Sequence, residues 1–395
     1  MAMTYSQSDR WMAYKSLFRL IFSIITTGPL LSSCNEHSDV DLIPVHKGTP
    51  YEIAIPFGFP TIMNIPEDNP LTVEGIELGR YLFYDGRISG NADTSAQMSC
   101  STCHLQENAF ECGINHPKYT GGRTFGVTGI FTPHYMMPLF NQVWNRNGYL
   151  WNGFIGNGNP DPMYRNIEAL VYMSIIAPHE MNSDTASAVA AIAAIPGYAE
   201  LFTKAFGSED VTIGRMSKAI AQFIRTFISA NSRFDQYLRG EIQLSASELH
   251  GYTLFVTEEG ADCFHCHGGG GNPLFTTNLF YNNAKDSVFT DLKDRFSVNG
   301  DPMKKGAYRA PSLRNIALTA PYMHDGRYKT LDEVINFYSD SLVYSDLADP
   351  LMHHLLDGGA RLTITEKTDL KAFLLTLTDE DFIKNPALSK PDMMP

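Results

Sequence analysis

The sequence predicts a mainly α protein with long irregular loops, built as two halves of similar architecture. Helical periodicity recurs along the chain, whereas strand-like alternation is scarce. The 31 Gly and 22 Pro imply many loops between short elements. A helix, then Cys-x-x-Cys-His, then a Gly-rich loop occurs twice, and 395 residues at a prior of about 150 per domain suggest two domains. Hydrophobic residues at 44% against 18% charged exclude wholesale disorder, and a net charge of -13 repels a nucleic acid duplex or an anionic membrane surface.

Residues 1–34 read as an export signal. Lys15 and Arg19 precede an apolar run from Leu20 to Leu31 that is too short to span a bilayer. Leu31-Ser32-Ser33-Cys34 resembles the lipobox of bacterial lipoproteins, which makes Cys34 the lipid-bearing residue and Met12 an alternative start; the plainer reading is an ordinary secretory leader with an incidental Cys. Either way the protein leaves the cytoplasm, and with Cys34 lipidated it is tethered to membrane in the periplasm or cell envelope. Residues 35–70, rich in Pro and polar residues, read as a tether and N-terminal arm.

The first helix is expected over Thr72 to Tyr84, with Ile76, Leu78, Leu82 and Phe83 apolar. From Gly113 to Asp161 periodicity fades, as in loops that wrap a ligand. Helices return at Asn166 to Ile176, Thr185 to Ala194 and Val211 to Arg233, and residues 233–239 form a seam that divides 71–239 from 240–385. The second half opens on the cap-like Ser245-Ala-Ser-Glu248 and a helix running toward Glu259. Further helices fit Leu331 to Tyr338 and Thr365 to Leu377, the latter opened by Thr363 with Glu366.

Four of the 6 Cys fall in two identical frames, Cys100-Ser-Thr-Cys103-His104 and Cys263-Phe-His-Cys266-His267. Chance supplies roughly 0.003 such frames in a chain of this composition, so two of them point to covalent c-type haem. Two thiols on one helical turn can each form a thioether at one porphyrin edge, and the adjacent His then reaches the iron. A zinc site shared by both sets leaves two ligands surplus, and dithiol redox chemistry has no need of the following His. Cys112 remains as an odd thiol, most simply a small buried hydrophobe.

Over about residues 70 to 385 the chain resembles the bacterial di-haem cytochrome c peroxidase and MauG family. The matching segments are Glu77-Leu-Gly-Arg80-Tyr-Leu-Phe-Tyr-Asp85, Leu150-Trp151-Asn-Gly153, Pro178-His-Glu180-Met181, Cys263 to Gly271 with Pro273-Leu-Phe-Thr276, and Ala310-Pro-Ser-Leu-Arg-Asn-Ile-Ala-Leu-Thr-Ala-Pro-Tyr-Met-His-Asp-Gly326. The resemblance implies two cytochrome c-like haem domains, an N-terminal one that reacts with peroxide and a C-terminal one that handles electrons. It makes His104 and His267 the proximal ligands, Glu180 the distal acid and Trp151 the aromatic residue between the haems. The remaining axial ligand of the family lies fourteen positions after the His of His-Asp-Gly, which is Tyr338 here. Peroxidases proper carry Met there and MauG-like members Tyr, a hard anionic donor that favours oxidised iron. Met323, Met352, His353 and His354 are rival ligands close by in sequence.

The departures are equally specific. The Gln that the family places ten positions before the distal Glu is Leu170. The inter-haem calcium ion of the family uses carbonyls matching Thr319 and Pro321, but its Asn ligand is Tyr135 here. Ala261 stands where MauG has a Trp that contacts its protein substrate, and Thr120 stands at the loop position of the distal His, with His116 near it. The function expected is an exported di-haem oxidoreductase. It reduces hydrogen peroxide, or uses it to oxidise a partner, with a small electron-donor protein or an oxidisable partner supplying electrons. The competing reading is a lipid-tethered di-haem electron carrier with no peroxide chemistry, and the spin state of the first haem separates the two.

Overall fold

The computed structural model describes residues 48–156, 159, 161–269 and 271–395. The leader, Cys34 and most of the tether lie outside the described residues. The N-terminal half carries α1 (Val73–Tyr84), α2 (Ile167–Ile176), α3 (Thr185–Ala193), α4 (Pro196–Phe206) and α5 (Ile213–Arg225). After α6 (Arg233–Leu238) come α7 (Ala246–Phe255), the short α8 (Phe264–His267) and α9 (Phe296–Asn299), then α10 (Leu331–Asp340), α11 (Ile364–Leu375) and α12 (Glu380–Ile383). The β structure named among the described residues is two antiparallel two-residue pairs, β1 (Tyr119–Thr120) with β2 (Arg123–Thr124) and β3 (Phe280–Tyr281) with β4 (Tyr308–Arg309). The fold is mainly α, as the scarcity of strand patterns implies. Among the described residues no single helix is long and apolar enough to cross a membrane.

Local sequence explains where the helices begin. Thr72, Asn166, Asp184 and Thr212 each accept a hydrogen bond from a first-turn backbone N–H, and Ser245 with Glu248 and Thr363 with Glu366 close reciprocal capping boxes. The helix expected from Val211 to Arg233 ends at Arg225 instead. The N–H groups of Ala230 and Asn231 turn to the Asp379 carboxylate at 2.7 and 2.9 Å, and Ser232 with Asp235 caps a new helix, α6. Periodicity alone cannot reveal a break set by a carboxylate some 150 residues away. Helix α4, which the periodicity did not single out, opens on Pro196, whose fixed φ suits a first helical turn.

The duplication shows most clearly in packing. In the first half α1 crosses α5 where a Cβ on Gly79 would collide with the Ala219 carbonyl; in the second α7 crosses α11 where one on Gly251 would collide with the Asp369 carbonyl. Each crossing sits just upstream of a Cys-x-x-Cys-His motif. Each half also buries an arginine on a carboxylate: Arg225 with Glu168 at 2.7 and 2.8 Å, and Arg314 with Asp235 at 2.7 and 2.6 Å. Removing one partner from such a pair leaves a buried charge unmatched, at a cost of roughly 3–5 kcal/mol.

Three apolar clusters result. The first runs from Leu78 to Phe227 and takes back Phe382 and Leu388 from the C-terminus. A second runs from Phe234 to Leu377, so the residues read as a seam form a helix whose Phe234 is buried in this cluster. The third joins Phe59 of the arm to Val143, Trp144 and Leu274.

Candidate functional site

Both Cys-x-x-Cys-His motifs fold as single tight turns. Residues Cys100–Thr102 form a 3-10 turn held by Ser99 and Thr102, and Phe264–His267 form α8. In each, the His ring is locked from behind: His104 Nδ1 donates to the Phe110 carbonyl at 2.7 Å, and His267 Nδ1 donates to the Pro311 carbonyl at 3.0 Å. A carbonyl can only accept, so Nδ1 carries the proton and Nε2 is left as a lone-pair donor, the usual arrangement of a metal-ligating imidazole. Burial lowers both rings to a pKa of about 4, keeping them in the neutral, ligating form. All four thiols are unpaired, and burial pushes Cys100, Cys103 and Cys266 up to about 12 and Cys263 higher still. Protonated thiols three positions apart beside an oriented imidazole fit a haem attached at Cys100, Cys103 and His104, and a second at Cys263, Cys266 and His267. Cys112 is fully buried, as expected of a small hydrophobe.

The surroundings of the two motifs differ. Glu180 sits in the turn after α2, and its negative charge helps raise both Cys100 and Cys103, which puts the carboxyl beside the first motif. The Glu180 side chain is 38% exposed, with Oε1 3.8 Å from His179 Nε2, and the protein packed around it raises its pKa against a lowering hydrogen bond from Ser174. The turn is pinned from outside: Val127 N–H donates to the Glu180 carbonyl at 2.8 Å, Thr128 Oγ1 to that of Pro178 at 2.7 Å, and Gly126 lies against Glu180 too closely for any Cβ. Leu170, where the family has Gln, packs against the first apolar cluster. Ser174 lies one turn further along α2 and supplies the hydrogen bond in its place. Sequence reasoning missed Ser174, although the i,i+4 spacing from Leu170 could have found it. The loop histidine His116 accepts from Lys118 N–H at 3.0 Å.

The second motif opens on a cavity of about 210 Å³ that brings together Cys263, Cys266, His267, Trp151 and Tyr338. The Tyr338 hydroxyl, on α10, accepts from Asn283 Nδ2 at 2.9 Å, and burial raises its pKa. Met323, Met352, His353 and His354 line the same cavity, where Met323 Sδ takes the other bond from Asn283 at 3.6 Å and His353 Nδ1 pairs with Asp262 at 3.1 Å. Trp151 is fixed by its Nε1–H on the Tyr135 carbonyl at 2.7 Å and by its own carbonyl, which accepts from Arg309 N–H at 2.7 Å. Its ring lies 6.4 Å from that of His324, edge to face.

Tyr135, at the family's calcium-ligand position, turns its hydroxyl to the Ala320 carbonyl at 3.3 Å, between Thr319 and Pro321. Beside it lies a residue that sequence reasoning missed. Glu111 is 1% exposed, its Oε2 accepts from Gly113 N–H at 2.9 Å, and its Oε1 meets no donor in good hydrogen-bond geometry, although the Tyr135 hydroxyl lies near enough to lower its pKa. Burial pushes its pKa up to about 8. The carboxyl lines the same cavity as Thr319 and Pro321, and the signal for it was an acid seven positions after His104 in an otherwise apolar stretch.

Two imidazoles held from behind, each flanked by a thiol pair within a mainly α frame, define a di-haem redox protein. Comparison narrows the class. Residues 73–243 match the family model described as di-haem cytochrome c peroxidase. The methylamine utilization protein MauG of Methylorubrum extorquens is 31% identical over 80% of this chain and 81% of its own length, and cytochrome c551 peroxidase of Nitrosomonas europaea is 31% identical over 69% and 75%. A crystal structure of a MauG-like protein associated with microbial copper homeostasis superposes with a TM-score of 0.73 at 34% identity, covering 86% of this chain and 99% of that one. The chain belongs to the di-haem cytochrome c peroxidase and MauG family and is an oxidoreductase of that kind. The diheme peroxidase BthA of Burkholderia thailandensis, 18% identical with a TM-score of 0.62, shares the fold.

Proposed function

We propose that the protein reduces hydrogen peroxide, or uses it to oxidise a partner, at the His104 site, and that Tyr338 would be a further protein ligand of the haem held by His267. The observation that carries this reading is the asymmetry between two otherwise similar motifs: a raised carboxyl beside the first, and a phenol together with an indole in the cavity of the second. The haems, when covalently attached through the four thiols, supply redox-active iron for a two-electron reduction.

Residues of this chain do the rest. Glu180 takes the proton from one peroxide oxygen and returns it to the other, which its raised pKa suits, while Ser174 holds the carboxyl in place. The backbone clamp from Gly126 to Thr128 keeps the acid from swinging away. Trp151, bonded at both its indole N–H and its carbonyl, offers an oxidisable ring with little room to reorganise. Asn283 aims the Tyr338 hydroxyl. Glu111, Thr319 and Pro321 line one cavity wall and would be the donors to a calcium ion bound there, a carboxylate taking the place of the family's Asn. The reading includes a lipid-tethered protein of the cell envelope, supported by the leader sequence and its Leu31-Ser32-Ser33-Cys34.

Tyr338→Phe removes the hydroxyl and nearly preserves packing. The variant holoprotein is expected to lose the phenolate-to-iron charge-transfer band and to show a raised potential at the second haem. An unchanged spectrum and potential would assign the ligand to Met323, Met352, His353 or His354 and return the protein to a conventional peroxidase.

A further inference from the structure

A second cavity, of about 360 Å³ and polar, lies against the one that holds Trp151 and His267, and the two share Asn283, Tyr308 and His324 in their walls. Tyr308 stands at that shared wall. Its ring stacks on His324 at 3.6 Å with planes 13° apart, and His324 in turn faces Trp151. On its other side the Tyr308 hydroxyl donates to Asp291 Oδ2 at 2.7 Å, and the same oxygen accepts from His134 Nε2 at 2.6 Å. Asp291 is about 30% exposed on the polar cavity, so its carboxylate communicates with water.

We propose that Tyr308 is a redox-active residue at which oxidising equivalents leave the protein, and that the polar cavity beside it is the site of a small, hydrogen-donating organic reductant such as an aromatic diol. The proposal rests on the peroxide reading above, since peroxide is the oxidant. In the first step the Tyr308 O–H bond breaks. Its proton passes to the Asp291 carboxylate and its electron passes by His324 and Trp151 toward the His267 cavity, leaving a neutral phenoxyl radical. In the second step the reductant gives one electron and one proton to the radical and restores the phenol, while Asp291 releases its proton to the cavity. Over two such cycles Asp291 releases two protons to solvent, one peroxide takes up the two electrons and two protons from solvent to yield two waters, and the diol becomes a quinone.

Three features of the arrangement suit that task. The phenol has an acceptor in hydrogen-bond contact, so electron and proton can leave together without a buried charge being formed. Burial and the Asp291 charge raise the Tyr308 pKa, so the residue begins protonated. Against the pull of burial, the bonds from His134 and Tyr308 hold the Asp291 carboxyl far below the usual range, so the acceptor begins ionised. An oxidised phenol is a strong enough acid to protonate even so weak a base. A cavity of this size matches the lower range of small-molecule sites. Lys285, Arg327 and Arg123 in its wall stand against Asp286, Asp291 and Asp325, with Lys285 and Arg327 both paired to Asp286 and Asp325, which leaves no strong net field to exclude a neutral ligand.

The test uses the holoprotein, hydrogen peroxide and hydroquinone. Freeze-quenched samples are examined by electron paramagnetic resonance, with haem absorbance recorded in parallel. The wild type is expected to form a radical whose signal narrows when the protein carries ring-deuterated tyrosine, and which disappears faster with hydroquinone present. Tyr308→Phe keeps the stacked ring and should lose that radical and most hydroquinone oxidation while the haem absorbance still responds to peroxide. Tyr344→Phe, at an exposed position, should change nothing. A tyrosyl signal that survives Tyr308→Phe, or a wild type whose haems respond with no tyrosyl signal, overturns the assignment of Tyr308. Haems that do not respond to peroxide at all overturn the peroxide reading itself, and this proposal with it.

Discussion

Glu111→Gln tests how far burial alone shapes the wall of the second cavity. Burial raises the Glu111 carboxyl from 4.5 to about 8, and at 1% exposure there is little solvent to screen it. A raised carboxylate pKa means that between those values the unfolded chain gives up a proton the folded chain keeps. Stability contributed by the neutral acid is therefore complete below pH 4.5 and is lost as pH climbs toward 8. At about 1.36 kcal/mol per pH unit, the full shift amounts to roughly 5 kcal/mol, an upper figure because local relaxation lets water reach the charge. The assay is urea unfolding of the holoprotein in EDTA at a series of pH values from 5 to 8.5, for the wild type and for Glu111→Gln. Gln holds no titrating proton, so the variant should lack a part of the pH-dependent loss that the wild type shows, and the two curves should diverge with rising pH. Calcium added at high pH should recover stability in the wild type and leave the variant unmoved. Parallel pH curves would refute the reasoning, since they would mean that Glu111 is solvated or already charged in the folded protein.

Two further outcomes follow from the site. Glu180→Gln should leave folding and cofactor content intact and slow peroxide consumption by roughly two to four orders of magnitude, as loss of a general acid-base does; stopped-flow absorbance measures it, and an unchanged rate moves the proton transfer to Ser174 or a bound water. Cys100→Ala with Cys103→Ala, and separately Cys263→Ala with Cys266→Ala, should each remove one haem increment from the intact mass of the holoprotein. Retention of both increments would separate the motifs from haem attachment.

The architecture was legible wherever it depends on neighbours in sequence. The caps at Thr72, Asn166, Ser245 and Thr363 start their helices where the residue types imply, and both attachment motifs form the tight turns their spacing asks for. What escaped depends on contacts that only the fold creates. Helix α5 stops because Asp379 reaches back to Ala230 and Asn231. Ser174 matters because folding brings it within hydrogen-bond reach of Glu180, and Glu111 because folding brings it into one cavity wall with Thr319 and Pro321. Tyr308 and Asp291 are seventeen residues apart and meet across the β3–β4 hairpin region, a pairing that periodicity does not encode. The resemblance supplied the positions expected to hold the haems, whereas the hydrogen bonds that orient those side chains, at Phe110, Pro311 and Asn283, come from the chain's own geometry.

The most direct test of the account is the spin state and peroxide response of the His104 haem in the ferric and half-reduced holoprotein, read by low-temperature electron paramagnetic resonance. With Glu180 as the acid of the peroxide site, the account predicts a high-spin signal, in at least one of those redox states, that one equivalent of hydrogen peroxide abolishes. Two low-spin, six-coordinate haems in both states, unaltered by peroxide, would contradict it and make the protein a carrier of electrons.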